Sequence, residues 1–421
     1  MLGIFVLVFA ILGVAEGWLM MSSSISPMVQ GLAPSKTIQV HALTKEMEAR
    51  GEPVISLCVG EPDFPPPEEV IEATCAAARA GSTKYTGVTG LMGLRQGVCS
   101  DLLRRKGVEY KPEDIIVGNG AKQGVYQAIL ATVRPGDEVI VPAPYWPSYP
   151  EMVKMAGGTP VIVDTKVEDG YLLQPEALRA AITSSTRMLI FCNPSNPTGA
   201  VHPAELCERL AAVLREEQSK NVWVMADEIY ERIVYDTPHT CFATLPGMWE
   251  RAMIINGFSK SHAMTGYRLG YMAAPPEIIK AVTTIQGQIT SCASSISQAA
   301  GLAALEVSDD VMQASVDVMR EKRDFVMSRL ATIPGIRCSV PEGAFYVLPD
   351  VSSYYGKSAP DGAVINGPTD LCLYLLRVHK VALVTGEGFG FFNGVRISYA
   401  TGMSELTAAM DEFASCLASL N

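Results

Sequence analysis

The residues able to do chemistry fall in short stretches, each just beyond an apolar run. Gly257-Phe258-Ser259-Lys260-Ser261-His262-Ala263-Met264-Thr265-Gly266-Tyr267-Arg268 follows Ala252 to Asn256. A lysine there, among few acids, has no obvious charge partner. Desolvation lowers an amine's pKa and makes it a nucleophile or imine former, although any single Ser-Lys pair can equally be a surface lysine. Asp227, Glu228, Ile229 and Tyr230 follow Val222 to Ala226. An acid ending a buried strand is costly to ionise unless a cation faces it; the plain alternative is a helix cap. Asn193-Pro194-Ser195-Asn196-Pro197-Thr198-Gly199 follows Met188 to Cys192, and its prolines and glycine fix the loop that carries Asn196. Gly118-Asn119-Gly120-Ala121-Lys122-Gln123 follows Asp114 to Val117. Free N–H groups at a helix start attract a phosphate or carboxylate, while a strand-to-helix turn wants glycine with or without an anion. It is neither a G-x-G-x-x-G fingerprint nor a P-loop.

The elements that must position these residues alternate. Asp114 to Val117, Glu138 to Val141, Thr159 to Val163, Met188 to Cys192, Val222 to Ala226 and Ala252 to Asn256 read as buried strands, with helices over Ala121 to Val133 and Pro203 to Gln218. Such alternation predicts an α/β fold: a large domain with a mostly parallel sheet covered by helices on both faces. Pro276 to Leu330 reads as two long helices. Beyond Pro334-Gly335 the texture changes to short strands, Ala344 to Leu348 and Val395 to Tyr399, and helices near Pro368 to His379 and Ser404 to Leu420, a smaller α+β domain. Ligands of an open parallel sheet bind beyond the carboxyl ends of its strands, where these stretches sit. An anion-binding helix start, a fixed amide, an acid followed by a tyrosine, a lysine and an arginine are together what pyridoxal phosphate requires.

Composition narrows the classes. The chain has 421 residues, 48% hydrophobic and 18% charged, with 36 Gly and 27 Pro, which excludes disorder, collagen and coiled coil. A net charge of -11 gives no general attraction to nucleic acid or anionic membrane. Ten scattered cysteines, without a C-x-x-C pair or a clustered Cys/His set, read as reduced thiols and supply no metal site. Leu2 to Ala15 is unbroken apolar or Gly, with no Lys or Arg before Lys36. The run is short for a transmembrane span, lacks the basic start of a signal peptide, and is not an Arg-rich transit peptide. Residues 1–24 are therefore either an apolar targeting extension or lie ahead of a working start at Met20 or Met21.

From about Ser26 onward the chain resembles the fold-type I, class I aminotransferases, and within them the aspartate and prephenate aminotransferase branch of bacteria and plants. The motifs are Val59-Gly-Glu-Pro-Asp-Phe64, Lys84-Tyr-Thr86, Asn119-Gly-Ala-Lys122, Ala143-Pro-Tyr-Trp146, Pro194-Ser-Asn-Pro-Thr-Gly199, Ala226-Asp-Glu-Ile-Tyr230, Phe258-Ser-Lys260, Thr265-Gly-Tyr-Arg268 and Val395-Arg-Ile-Ser-Tyr399, in the family's order. Ile285-Gln-Gly-Gln288, Ala293-Ser-Ser-Ile296 and Ser352-Ser-Tyr-Tyr-Gly356 look most like the plant and algal prephenate enzymes. The resemblance implies a large domain over 63–310 and a small one from 25–62 and 311–421.

It also implies roles. Lys260 would join the cofactor covalently and carry the proton between Cα and C4′. Asp227 would pair with the pyridinium nitrogen, Asn196 and Tyr230 with the ring 3′ oxygen, and Trp146 would stack on the ring. Gly120, Ala121 and Arg268 would hold the phosphate, with Tyr85 reaching that of a partner subunit, so a homodimer with shared active sites is implied. Arg396, helped by Gly60, would grip the substrate α-carboxylate, and Lys122 and Thr37 the distal carboxylate of glutamate, aspartate or prephenate.

The chain departs from the pattern at Gly257, where animal-type enzymes carry a phosphate-binding Ser that Ser259 need not replace. It departs too at His262 and Tyr267, where this branch has an aromatic and a Trp, and at Thr385, which replaces a Pro. Packing is the favoured role for His262. The expected activity is transfer of an amino group between glutamate or aspartate and oxaloacetate or prephenate. An aromatic or kynurenine-type transaminase, or a lyase on the same cofactor, is the alternative. A regulator borrowing the fold would carry a DNA-binding domain ahead of it, which the apolar extension is not. The plant-like motifs suggest the plastid stroma, and the poor transit peptide leaves the cytoplasm equally open.

Overall fold

In the computed structural model, residues 26–32 and 36–421 are described. The apolar extension lies outside them, as do Pro34 and Ser35. Alternating side chains build the main sheet. In the strand Thr186–Cys192, Met188 and Ile190 enter one apolar layer while Leu189 and Phe191 enter another, all of them buried. Met225 and Val224 on the strand Trp223–Asp227 divide in the same way. Each such side chain contributes roughly 1.5–3 kcal/mol on leaving water, so both faces must be covered.

Among the described residues twelve strands result: β1 (Ile55–Ser56), β2 (Ile115–Gly118), β3 (Glu138–Ala143), β4 (Thr159–Asp164), β5 (Thr186–Cys192), β6 (Trp223–Asp227), β7 (Ala252–Gly257), β8 (Gly270–Ala273), β9 (Tyr346–Val347), β10 (Val381–Ala382), β11 (Val384–Thr385) and β12 (Val395–Ser398). The large sheet is seven-stranded, in the order β2-β8-β7-β6-β5-β3-β4. β3 through β7 pair in parallel, and β8 runs antiparallel to both β2 and β7. β8 was not expected from the sequence. It has one practical effect: because it runs backwards, the residue two before its start, Arg268, stands at the same rim as the carboxyl ends of its neighbours.

The region expected as two long helices is three: Pro276–Ile289, Ser295–Glu306 and Asp309–Leu330. Ser294 and Ser308 are the breaks. Each caps the following helix by accepting a hydrogen bond from a backbone N–H, Ser297 for the first and Val311 for the second.

A further core joins Met47 and Leu57 to Val316, Met319 and Val326 of the last long helix, and to Leu375 and Phe413 of the helices Pro368–His379 and Met403–Ala418. It contains the pair β1-β10 and the antiparallel sheet β11-β12-β9. Tyr230 and Ile233, just past β6, pack into this core, so the loop after β6 ties the two regions together.

Candidate active site

The carboxyl ends of the parallel strands and the start of β8 enclose a cavity of about 470 Å³. Lys260 lines it, three residues past β7, and its Nζ donates to the Gly60 carbonyl at 2.6 Å. No carboxylate among the described residues lies within ion-pair distance of that amine. Burial, with Arg396 and Arg268 nearby, pushes it down to about 8, against the pull of Glu61 and Asp227.

Asp227, the last residue of β6, is 5% exposed. Its Oδ2 accepts from the Tyr149 hydroxyl at 2.7 Å and its Oδ1 from the Ile229 N–H at 3.3 Å. Burial raises this carboxyl to about 6, although both donors favour its charged form.

Arg396 reaches the cavity from β12. Its Nη1 donates to Asn196 Oδ1 at 3.0 Å and its Nη2 to the Cys58 carbonyl at 2.7 Å, while Nε is buried without a partner among the described residues. Tyr346 and Phe389 flank the guanidinium, with ring centres 4.4 and 5.0 Å away. Because Asn196 uses its oxygen on Arg396, its amide –NH2 is left to donate. Tyr230 and Tyr346 share a hydrogen bond at 3.0 Å.

Arg268, in the left-handed region at φ 51, sits over the turn that opens the helix Ala121–Thr132. A Cβ at Gly120, whose φ is +85, would lie 2.7 Å from Arg268 Nη2, and one at Gly270 would lie 2.4 Å from the Ala121 nitrogen. Only glycine leaves that cradle open. Lys122 on the same helix places Nζ 5.0 Å from the centre of the Trp146 ring, and burial, with Arg268, lowers its pKa.

Tyr85 is 90% exposed and does not line the cavity. Thr37 lies in the helix Lys36–Ala49, and its side chain is outside what is described. The departures have local reasons. A Cβ at Gly257 would stand 2.8 Å from the Gly270 Cα, so that position has no room for a serine, whereas the nearby Ser259 lines the cavity. The Tyr267 hydroxyl accepts from Thr74 Oγ1 at 3.2 Å. Thr385 Oγ1 lies 2.9 Å from Thr369 Oγ1. His262 is buried outside the cavity, with Nδ1 2.8 Å from Ser261 Oγ and its ring edge against Phe258; burial lowers it to about 3, so it is neutral. The sequence reading missed Tyr149, Tyr346, Phe389 and Cys58. Tyr149 had a signal, since a helix starting just after Pro147 sets it one turn after Trp146. Tyr346 is in a strand that was expected, without a role.

The arrangement can thus hold a dianion on Gly120, Ala121 and Arg268, a carboxylate on Arg396, and an amine-reactive group beside Lys260. A family model for aminotransferase class I and II matches residues 52–413. An aspartate aminotransferase of Pinus pinaster is 47% identical, covering 92% of this chain and 80% of its own. A bifunctional aspartate aminotransferase and glutamate/aspartate-prephenate aminotransferase of Petunia hybrida is 45% identical over 94% of this chain and 83% of its own. Among solved structures, the aspartate aminotransferase of Rhizobium meliloti superposes with a TM-score of 0.91 at 40% identity, over 94% of this chain and 100% of that one. That of Thermus thermophilus with maleate gives 0.87 at 38%, over 93% and 99%. Similarity that runs through both apolar cores and the cavity between them makes this chain a member of the class I and II aminotransferases.

Proposed function

We propose that this aminotransferase holds pyridoxal 5′-phosphate at Lys260 and moves an amino group from glutamate or aspartate to a 2-oxo acid, with oxaloacetate and prephenate as acceptors. The observation that carries this is the Lys260 amine: partly buried, without an ion-pair partner among the described residues, and lowered to about 8, so that a useful fraction is neutral at neutral pH. The donor set fits the cofactor. The cradle at Gly120 and Gly270 would be closed by any Cβ, Arg268 overlooks it, and Arg396 keeps a buried N–H free.

When bound, pyridoxal phosphate supplies an aldehyde that captures amines and a ring that accepts the electron pair released at the substrate Cα. Lys260 Nζ offers the resident amine and later takes the proton from Cα. Asp227 keeps a proton on the ring nitrogen. Asn196 and Tyr230 donate to the ring oxygen, and Trp146 fixes the plane and excludes water. The N–H groups of Gly120 and Ala121 hold the phosphate with Arg268. Arg396 orients the α-carboxylate beside Gly60, where a Cβ would meet the Tyr346 hydroxyl at 2.8 Å.

Lys122 supports an acidic substrate, since its cation stands at the cavity beside Trp146. The Petunia relative's name includes prephenate, and the Thermus structure holds maleate, a dicarboxylate. Thr37 is proposed as Lys122's companion. We also propose a homodimer in which the exposed Tyr85 completes the partner's phosphate site. Borohydride reduction of the holoenzyme followed by peptide mapping should place the cofactor on Lys260. On a separate, unreduced sample, glutamate should bleach the aldehyde band, and oxaloacetate or prephenate should restore it; phenylpyruvate restoring it equally well would instead indicate an aromatic transaminase. A label on another peptide would end this reading, and release of pyruvate or ammonia without an acceptor would indicate a lyase.

A further inference from the structure

Tyr149 stands outside every role given so far, yet it is 2% exposed and touches two groups of the site. It is the second residue of the helix Ser148–Met155, which starts directly beyond β3 and the Trp146-Pro147 turn. Its N–H donates to the Trp146 carbonyl at 3.0 Å, and its ring meets the Trp146 ring edge-on, with centroids 5.2 Å apart at 82°. Its hydroxyl donates to Asp227 Oδ2 at 2.7 Å. We propose that Tyr149 is a positioning residue that couples two contacts to the cofactor ring, orienting and charging the Asp227 carboxylate at the ring nitrogen and buttressing Trp146 on the ring plane. The inference rests on the reading above, that Asp227 and Trp146 hold pyridoxal phosphate.

The groups facing Asp227 come from several elements: Tyr149 from its helix, Cys192 from β5, Lys260 from beyond β7, and Glu228 as its chain neighbour. Burial holds the Tyr149 phenol well above its ordinary value, with Asp227 adding to the effect. It therefore stays a donor at every working pH. Cys192, raised to about 12 mainly by burial, stays neutral. Against the burial that pushes Asp227 up, the Tyr149 hydroxyl is the largest influence holding it down. A donor on a carboxylate oxygen favours the ionised form, and only that form can keep a proton on the ring nitrogen. Without the hydroxyl, the ring nitrogen is less firmly protonated and draws less charge from the Lys260 nitrogen, which then loses its proton at higher pH.

Tyr149→Phe keeps the ring and removes only the donor. We expect kcat to fall about 10- to 100-fold with little change in KM, the size expected for a hydrogen bond to a charged group. The pH midpoint of the holoenzyme's absorption change should rise by about one unit. Binding of pyridoxal phosphate to the apoprotein, followed by tryptophan fluorescence, should weaken about tenfold. In an Asp227→Asn background the same substitution should move the midpoint no further, because its effect passes through the carboxylate. An unchanged midpoint in Tyr149→Phe, or an additive shift on Asp227→Asn, would overturn the proposal. Should Tyr149→Phe fail to fold, 3-fluorotyrosine at 149, a stronger donor of the same shape, must move the midpoint downward; no movement would overturn it equally. A wild-type protein that takes up no pyridoxal phosphate would instead defeat the underlying reading of the site.

Discussion

Two neighbouring regions at the end of β6 treat buried charge in opposite ways. On the cavity side, Lys260 is lowered to about 8 and Asp227 raised to about 6, each mainly by burial. On the other side lies an ionic cluster. Lys106, 4% exposed, contacts Glu228, 2% exposed, at 2.6 Å; Glu231 pairs with Arg105, and Arg232 with Asp101 at 2.9 Å. Burial pulls Lys106 down as it does Lys260, but Glu228 and Glu231 outweigh it and hold that amine well above its usual range. Burial raises Glu231, and Lys106 and Arg105 more than reverse it. The two lysine amines, Lys260 and Lys106, thus fall on opposite sides of a physical divide. Desolvation without a partner leaves a group near neutrality and reactive, whereas desolvation with a partner fixes its charge and makes it structural.

The sharpest break of that contrast is Lys260→Met. Amino transfer should fall on the order of 10⁶-fold, the scale of losing a covalent nucleophile, measured as kcat. The apoprotein should nevertheless become more stable. The folded value of about 8 lies below the ordinary 10.5 of lysine, so protonation opposes folding fully below about pH 8, and the penalty fades between 8 and 10.5. Lys260→Met should therefore gain on the order of 2–3 kcal/mol at pH 7 and little above pH 10.5, read by denaturant unfolding of the apoprotein at both pH values. A loss of stability at pH 7 would show that the amine is not stored at a cost.

Lys106→Met tests the opposite side. Removing Lys106 strands the buried Glu228, while Glu231 keeps Arg105, and stability should fall by about 3–5 kcal/mol. The double variant Lys106→Met/Glu228→Gln should recover part of it. If Lys106→Met were as stable as the parent, the cluster would not be structural, and the divide at β6 would disappear.

How far this divide could be read in advance differs by region. The strands β5, β6 and β7 were legible because burial on both faces writes an unbroken apolar run. The residues just beyond them could then be placed by the general geometry of parallel sheets. β8 was not legible: it is four residues long and starts with Gly270, which must be small to pass Gly120 and Gly257. The helix breaks at Ser294 and Ser308 were written as caps, but inside stretches whose helical periodicity resumes at once. Tyr149 and Tyr346 were hidden for another reason. Their partners Asp227 and Tyr230 lie 78 and 116 residues away along the chain, and no local pattern records which buried hydroxyl meets which buried acid. The ionic cluster was equally silent, because Lys106 and Glu228 are 122 residues apart.

Lys122 lies between the two regimes, and its substitution should have the smallest effect. Its side chain is exposed, its amine is lowered by desolvation and Arg268, and its cation faces the Trp146 ring. A cation held by an aromatic face is worth roughly 0.5–2 kcal/mol and keeps its capacity for an anion. A substrate's distal carboxylate would complete the pairing that Lys106 already has and that Lys260 must not have. Lys122→Ala should then lower kcat/KM for glutamate, oxaloacetate and prephenate by about 10- to 100-fold, the range of a charge-assisted hydrogen bond. For phenylpyruvate and other monocarboxylates the change should stay within about threefold, since the Arg396 contact common to all substrates is untouched. Steady-state kinetics on matched pairs of acids decides it: equal losses on both would make Lys122 a support for Trp146 and remove the reason for expecting a dicarboxylate.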